Sequence, residues 1–319
     1  MKRSALALMI LLYSVGASAN DPPQRPHIFG IAKVEFFSSN IKASADFYSQ
    51  ILGMMRPVHC SGCRKHPSLR FSVNGLQEIA LAPEPTPAPA ELIEEITFAT
   101  DDIPALRSYL EFHQIAVTAS GILDAAKPGG TPLTVIDPEG HRISFIQWAK
   151  HPSEMVSDFA SRTQIIHAGF VVHDREAEDH FYKDVLGFHL YWHGGMKDDG
   201  VDDWAAMQVP DGTDWLEYML NISPSADHRT LGVMNHVSLG VRDIHATYDE
   251  LVARGWKATE QPKMGRDGKW QLNLYDPDET RVEFMEFTPT QKPCCSPFAG
   301  PQPGPNSGAS SKRPAQPNT

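Results

Sequence analysis

The heptapeptide Phe-Tyr-Ser-Gln-Ile-Leu-Gly at residues 47–53 recurs as Phe-Tyr-Lys-Asp-Val-Leu-Gly at residues 181–187, 134 residues later. Two other phrases recur at nearly the same offset: Asp137-Pro138 as Asp276-Pro277 and Asp102-Ile103 as Asp243-Ile244. Three phrases at nearly one offset indicate a duplicated half. The sequence therefore predicts two tandem domains, residues 27–150 and 163–290, joined by a linker at residues 151–162.

Each half divides again into a strand, an amphipathic helix and shorter strands separated by turns. In the first quarter an apolar strand at residues 28–37 precedes a helix, which Ser39 or Asn40 caps and Gly53 ends. The Asp-Pro phrases supply the turn before the last strand of each half. The predicted fold class is α+β, with four βαβββ modules in two tandem domains.

The two ends of the chain differ in composition from its middle. Lys2 and Arg3, an apolar stretch at residues 5–15 and the small-residue site at residues 17–19 predict a signal peptide, residues 1–19, and a mature chain that begins at Asn20. We therefore expect a periplasmic or secreted protein. At the other end, residues 291–319 form a Pro- and Gly-rich tail, which we expect to be disordered from Ser296 onward.

Charge and cysteine content restrict the classes of function. The formal net charge of -11 argues against nucleic acid and against anionic membrane surfaces as partners. We expect a small-molecule substrate and no membrane association after signal cleavage. In an oxidising compartment the four cysteines favour disulfides. We expect Cys60 and Cys63 to pair with Cys294 and Cys295, because a bond between adjacent cysteines strains the backbone; a thiolate metal site is the alternative.

The repeated phrases also carry a family resemblance. A strand, then Phe-Tyr-x-x-[Ile/Val]-Leu-Gly, then Asp-Pro-[Glu/Asp]-x-x-Arg-[Ile/Val] resembles the vicinal oxygen chelate superfamily of glyoxalases, bleomycin resistance proteins and extradiol dioxygenases, over about 260 residues. The resemblance implies that each domain is a cupped mixed sheet with outer helices. It further implies one divalent metal ion held by residues of the first and last strands of the modules.

Counting from the repeated phrases locates those ligand positions. The second half supplies His167, Glu217, His236 and Glu283, whereas the first half supplies Lys33, Glu78, Glu95 and Ser144. Two imidazoles and two carboxylates suit one divalent ion of Fe, Zn, Ni, Co or Mn. The first-half set has lost the ligand types. We expect Lys33 there to pair with Glu95 or Glu78. We also predict that the two modules of each domain face each other, which keeps the whole ligand set within residues 163–290.

Three functions fit this ligand set. If Glu217 binds the metal, the resemblance implies glyoxalase-like lyase or isomerase chemistry, in which Glu217 or Glu283 moves the proton. If Glu217 does not bind, His167, His236 and Glu283 form the two-His-one-carboxylate triad of an Fe(II) extradiol dioxygenase. However, Leu274-Tyr275 directly abuts Asp276-Pro277, which departs from the dioxygenase signature. The third alternative is a non-catalytic binding or resistance protein, a class that often lacks the metal set.

Further side chains are candidates for the pocket around the metal. Tyr275 and Tyr218 are possible proton donors, and Tyr275 is the one that we assign a catalytic role with Glu217 and Glu283. His193 and Arg281 could hold an anionic substrate, and Trp204 and Trp270 could form a wall of the pocket.

Overall fold

The computed structural model of the 319-residue chain describes residues 22–55, 68–89, 91–119, 132–148 and 163–304. The predicted signal peptide, the linker at residues 151–162, Cys60 and Cys63 all lie outside the described residues. Among the described helices, none is both long and apolar enough to cross a membrane.

The first half forms a seven-stranded mixed sheet with the strand order β2-β3-β1-β4-β7-β6-β5. Strand β1 pairs parallel with β3 and antiparallel with β4, and β4 pairs parallel with β7. The first two modules therefore share one continuous sheet. Its strands are β1 (Ile28–Ser38), β2 (Leu69–Ser72), β3 (Glu78–Pro83), β4 (Ile93–Thr100), β5 (Thr118–Ala119), β6 (Leu133–Ile136) and β7 (Arg142–Gln147).

The second half repeats this plan as an eight-stranded sheet with the order β13-β14-β15-β12-β8-β11-β10-β9. Strands β8 and β12 pair antiparallel at its centre, so the third and fourth modules also share one sheet. The α+β fold of tandem modules is confirmed. The strands are β8 (Gln164–Val171), β9 (His189–Gly194), β10 (Trp204–Gln208), β11 (Trp215–Met219), β12 (His236–Val241), β13 (Lys263–Met264), β14 (Trp270–Tyr275) and β15 (Arg281–Glu286).

Helices cover one face of each sheet. Asn40, rather than Ser39, caps the first helix by accepting a hydrogen bond from the Ala43 N–H, and Asp243 caps the last helix in the same way. The two Phe-Tyr phrases fall in π-helical turns, Phe47–Ile51 and His180–Val185. The α-helices are α1 (Ile41–Asp46), α2 (Ile103–Phe112), α3 (Arg175–Asp179), α4 (His228–Met234) and α5 (Ile244–Ala253).

The second sheet buries apolar side chains on both faces. Its outer face and the helices share the main core of the molecule, which includes Phe170, Tyr182 and Val282. The opposite face, here called the inner face, carries a smaller cluster that includes Ile166, Trp215 and Met285. Successive side chains of a strand point to opposite faces, so these two clusters assign the remaining residues to one face or the other. In β8 the register shifts between Ile165 and His167, which lets Ile166 and His167 share the inner face.

The two halves contact each other through equivalent elements of the repeat. The Asp137 turn of the first half accepts a hydrogen bond from the Tyr182 hydroxyl at 2.9 Å, and the Asp276 turn of the second half accepts one from the Tyr48 hydroxyl at 3.3 Å. The Gln77 side chain, in addition, bonds to both backbone groups of Ile165. Each Asp-Pro turn thus docks on the Phe-Tyr helix of the other half.

The cysteine prediction was wrong for the C-terminal pair. Cys294 and Cys295 form a disulfide with each other, with their Cα atoms 3.8 Å apart, and no free cysteine occurs among the described residues. Neither sulfur is therefore available to Cys60 or Cys63. The backbone accommodates the bond by placing Cys295 at a positive φ of 69°.

The prediction of disorder from Ser296 onward was also wrong as far as Gly304. The Ala299 N–H donates to the Tyr191 carbonyl at 2.8 Å, and the Gln208 side chain donates to the Pro301 carbonyl at 2.9 Å. Phe298 packs against the Tyr191 ring at a tilt of 41°, with centroids 4.9 Å apart. A Pro-rich segment keeps its carbonyl acceptors, and one aromatic side chain anchors it on the sheet. We call residues 294–302 the C-terminal strap.

Candidate metal centre

Four adjacent strands of the second sheet each place one of the predicted ligands on the inner face. Strands β11, β8, β12 and β15 carry Glu217, His167, His236 and Glu283, in that spatial order. The antiparallel pairing of β8 with β12 brings the two histidines together, although they are 69 residues apart in the chain. The structure therefore assembles all four predicted ligands in one place, within a single half.

The distances between the donor atoms are those of ligands that share one ion. His167 Nε2 lies 3.0 Å from His236 Nε2 and 3.2 Å from Glu283 Oε2. Glu217 Oε2 lies 3.3 Å from His236 Nε2 and 3.9 Å from His167 Nε2. Two atoms about 2.1 Å from one first-row ion, at right angles to each other, would lie about 3.0 Å apart. The possible ligand atoms of His167, Glu217 and His236 all lie within 4.8 Å of one another, so these three donors fit a divalent metal ion, and Glu283 joins them through His167.

The protonation of the cluster also suits a cation. His236 Nδ1 lies 2.8 Å from the Met234 carbonyl, a contact that requires the proton on Nδ1 and leaves Nε2 with its lone pair. Burial, reinforced by the nearby Arg281 charge, lowers the pKa of His236 to about 4, so the ring is neutral. Burial opposes ionisation of Glu283, but the hydrogen bond with His167 and the Arg281 charge prevail and lower its pKa to about 2.

Gly169 makes the position of His236 possible. It lies opposite His236 in the β8–β12 register, and a Cβ built on Gly169 would lie 1.9 Å from His236 Cε1. The imidazole therefore fills the space that any other side chain at residue 169 would need. Sequence reasoning had not identified Gly169, because its role depends on the cross-strand register.

Arg281 reaches the same cluster. Its Nη2 donates to His236 Nε2 at 2.8 Å, which is the lone pair that a metal ion would take. Because that nitrogen has only one lone pair, a bound ion requires the guanidinium group to turn away. Arg281 thus lies against the candidate metal centre, and its predicted contact with an anionic substrate stays a prediction.

The other predicted pocket residues are spread over the sheet, and Tyr275, which pairs with Arg281 in the β14–β15 register, lies next to the cluster. The Tyr275 hydroxyl donates to Glu260 at 3.1 Å, and His193 pairs with Asp202 at 2.8 Å. Tyr218 belongs to the core of the outer face, because Glu217 next to it already points to the inner face. Trp270 packs edge-on against His245, also in that core, whereas Trp204 lies near the inner-face cluster. The proton-donor assignment of Tyr218 and the wall assignment of Trp270 are therefore wrong.

In the first half the positive charge at the corresponding position is that of Lys33. Lys33 Nζ lies 2.8 Å from Glu95 and also contacts Glu35, and Glu95 in turn accepts a hydrogen bond from Ser144 at 2.8 Å. Burial disfavours the charge on Glu95, but the Lys33 ammonium outweighs it and lowers the pKa of Glu95 to about 2. Of the two expected partners, Glu95 is the one that Lys33 contacts.

The sheet register corrects one of the first-half positions. In the second half, Glu217 pairs with Gly169. The first-half residue that corresponds to Gly169 is Glu35, and Glu35 pairs with Ala80. The first-half counterpart of Glu217 is therefore Ala80 and not Glu78, which pairs with Arg70 at 3.6 Å. A two-residue shift keeps the side chain on the same face, so alternation alone could not detect it.

A second buried cluster lies where the halves meet. Asp137, His141 and Glu178 have possible ligand atoms within 4.8 Å of one another. Asp137 Oδ2, however, already lies 2.7 Å from His141 Nδ1 and accepts the Tyr182 hydroxyl. Burial and the neighbouring Asp137 raise the pKa of Glu178 to about 8, so this carboxyl is protonated at neutral pH. The cluster is best described as a hydrogen-bonded network of the interface.

Comparison with known proteins agrees with the fold. The model of the glyoxalase/bleomycin resistance protein/dioxygenase superfamily matches residues 30–145 and 164–284. The chain therefore belongs to that superfamily.

Two groups of relatives stand out. A lactoylglutathione lyase of Haemophilus influenzae is 28% identical over 130 residues, which are 40% of this chain and 96% of the relative. Homoprotocatechuate 2,3-dioxygenase of Brevibacterium fuscum, in its anaerobic complex with 3,4-dihydroxyphenylacetate, has a TM-score of 0.59 and 17% identity, over 85% of this chain and 82% of that one. A room-temperature structure of an extradiol ring-cleaving dioxygenase from the same organism has a TM-score of 0.60 and 18% identity, over 85% and 74% of the two chains. These dioxygenase structures share the fold.

Proposed function

We propose that the protein is a divalent-metal-dependent lyase or isomerase of the glyoxalase type, acting on a small substrate that chelates the metal through two vicinal oxygens. The observation that carries the proposal is the position of Glu217, whose Oε2 lies 3.3 Å from His236 Nε2. Glu217 therefore completes a set of two imidazoles and two carboxylates. The similarity to a lactoylglutathione lyase supports the same reaction class.

The residues of the chain have separable roles in such a reaction. His167, His236 and Glu283 would hold the ion, which supplies Lewis-acid polarisation of the substrate oxygens. Glu217 is the more exposed of the two carboxylates, with 14% of its side chain accessible against 4% for Glu283. Burial opposes ionisation of Glu217, but the neighbouring His167, together with His236, lowers its pKa, so it is ionised. Glu217 is therefore the group that accepts the proton from the carbon next to the polarised carbonyl.

An extradiol dioxygenase is the second candidate, and the two-domain similarity to ring-cleaving enzymes favours it. His167, His236 and Glu283 by themselves form the two-His-one-carboxylate set that suits Fe(II). Against it, the Tyr275 hydroxyl is bonded to Glu260 rather than directed at the cluster. A non-catalytic binding protein would not need four such ligands, so the cluster argues against that third alternative.

The test begins with metal content. Purified wild-type protein is expected to contain one divalent ion per chain, and the double variant His167→Ala/His236→Ala to contain none. His193→Ala, whose histidine pairs with Asp202, is the matched control and should keep the metal. Two ions per chain in the wild type, or one retained by the double variant, would contradict the proposed centre.

The reaction class is tested with two assays on the metal-loaded protein. Hemithioacetals of α-oxoaldehydes and small thiols should isomerise, as followed by proton NMR, and Glu217→Gln should abolish turnover while Glu260→Gln does not. Oxygen consumption with catechols by the wild type, undiminished in Glu217→Gln, would instead establish the dioxygenase. We further propose that the protein is exported, on the basis of its N-terminal sequence.

A further inference from the structure

Lys269 lies in the second half, directly before β14, and sequence reasoning gave it no role. In the β14–β15 register Asn273 pairs with Glu283, and the alternation of the strand continues back through Gln271 to Lys269. The Lys269 side chain is fully buried, and its Nζ has no hydrogen-bond partner among the described residues. A buried lysine without an acceptor is rare and needs an explanation.

Three aromatic rings surround this ammonium group. Nζ lies 4.9 Å from the Trp215 ring centroid, 5.2 Å from that of Phe298 and 5.8 Å from that of Tyr191. Trp215 also packs against His167, with ring centroids 4.7 Å apart. One indole therefore contacts both a candidate metal ligand and the lysine, which places Lys269 beside the metal centre. Phe298, from the C-terminal strap, covers it.

The electrostatic surroundings keep Lys269 charged without satisfying it. Burial lowers the pKa of Lys269 to about 8, against the opposing effect of Asp267, Glu283 and Glu217. At neutral pH most molecules therefore carry the ammonium, whose three N–H groups lack an acceptor. Aromatic faces stabilise a cation but accept only weak hydrogen bonds, so they replace an oxygen acceptor in part.

We propose that Lys269 binds a carboxylate group of the substrate whose vicinal oxygens occupy the metal centre. This inference rests on the proposed function, since it assumes that a chelating substrate lies on the inner face. The charges agree with it: Glu217 and Glu283 balance a divalent ion, so Lys269 and Arg281 add positive charge that Asp267 offsets only in part. An anionic chelator restores neutrality and supplies the missing acceptor.

The experiment compares two chelators that differ in one charge. Zinc-loaded full-length protein is titrated calorimetrically with 3,4-dihydroxybenzoate and with its methyl ester, which has the same vicinal oxygens and no anionic group. The wild type should bind the free acid at least about tenfold more tightly, as expected for one charge-assisted hydrogen bond. Lys269→Met should abolish that preference and leave the ester's affinity unchanged, whereas Lys269→Arg should retain it.

Lys263→Met is the matched control, because Lys263 is more than half exposed and pairs with Glu260. It should keep the wild-type preference. Equal binding of acid and ester by the wild type, or an undiminished preference in Lys269→Met, would overturn the role of Lys269 and leave the metal chelate standing. If zinc-loaded wild type binds neither compound, the chelating function itself fails, and the inference about Lys269 fails with it. If Lys269→Met does not fold, equal binding of acid and ester by the wild type, or loss of the preference in Lys269→Arg, still overturns the proposal.

Discussion

Gly169 and His236 lie opposite each other on β8 and β12, so close that a Cβ on Gly169 would lie 1.9 Å from the imidazole. The imidazole of His236, a candidate metal ligand, thus occupies the space that a side chain at Gly169 would need. This pairing also explains why the first half cannot hold an ion in the same way, because Glu35 stands where Gly169 does.

Gly169→Ala is expected to displace the His236 ring and to weaken metal binding at least tenfold, since a ligand nitrogen moved by about 1 Å leaves the coordination distance. The measurement is competition for zinc against a chromophoric chelator. Gly304→Ala serves as control, because a Cβ there meets no atom within 4 Å. Equal zinc affinity of the two variants would show that the close approach of Gly169 to His236 has no importance for the centre.

Lys33→Met should destabilise the protein without changing its metal content. Removal of the ammonium leaves the buried Glu35 without its counter-charge and Glu95 with only the more distant Arg142, which should cost about 3 kcal/mol in the free energy of unfolding. Denaturant unfolding and elemental analysis give the two measurements. Lys42→Met, which removes an exposed lysine paired with Asp46, should change neither quantity. Loss of metal from Lys33→Met would mean that the first half contributes to the centre.

The stability of the protein should depend on pH through Glu95. Its pKa is about 2 in the folded protein and ordinarily 4.5, so its stabilising effect is complete above pH 4.5 and is lost as the pH falls towards 2. The free energy of unfolding of Glu95→Gln should therefore be lower than that of the wild type at neutral pH and fall less steeply over this range. Parallel pH profiles of the two proteins would refute the assignment.

Export predicts a shortened chain. Protein isolated from its native cell should begin at Asn20, because residues 17–19 provide the small side chains that a signal peptidase requires. Intact-mass measurement identifies the first residue. Protein that retains residues 1–19 would contradict both the cleavage and the extracytoplasmic location.

The repeat explains why the fold and the clustering of the four candidate ligands could be predicted. Phrases such as Asp276-Pro277 stand at a fixed distance from the last strand, so counting from them reaches Glu283 in the correct register. No such phrase precedes β3, and there the count misplaced the counterpart of Glu217 by two residues, at Glu78 instead of Ala80. Local anchors thus determine register only in the strands that they adjoin.

The features that the sequence did not reveal depend on contacts between distant segments. Lys269 becomes notable only when Tyr191, Trp215 and Phe298 converge on it from three separate segments. The Pro-rich composition of the strap predicts disorder. However, Phe298 packs against the Tyr191 ring, and this contact anchors the strap on the sheet. The assignment of Tyr218 as a proton donor failed for a different reason. Glu217 and Tyr218 are neighbours in one strand, so the two side chains point to opposite faces and cannot both face the metal centre.

The ammonium of Lys33 is covalently part of the chain, whereas an ion at His167 and His236 can dissociate. Dilution, chelators or a poor supply of metal can therefore empty one half without loosening the other, whose central charge is never lost. The two halves contact each other through the Asp137 and Asp276 turns, so the half that contains Lys33 stabilises the position of the other half. The first half is thus a scaffold whose central charge is independent of metal supply, and the second half would exchange its ion against that scaffold.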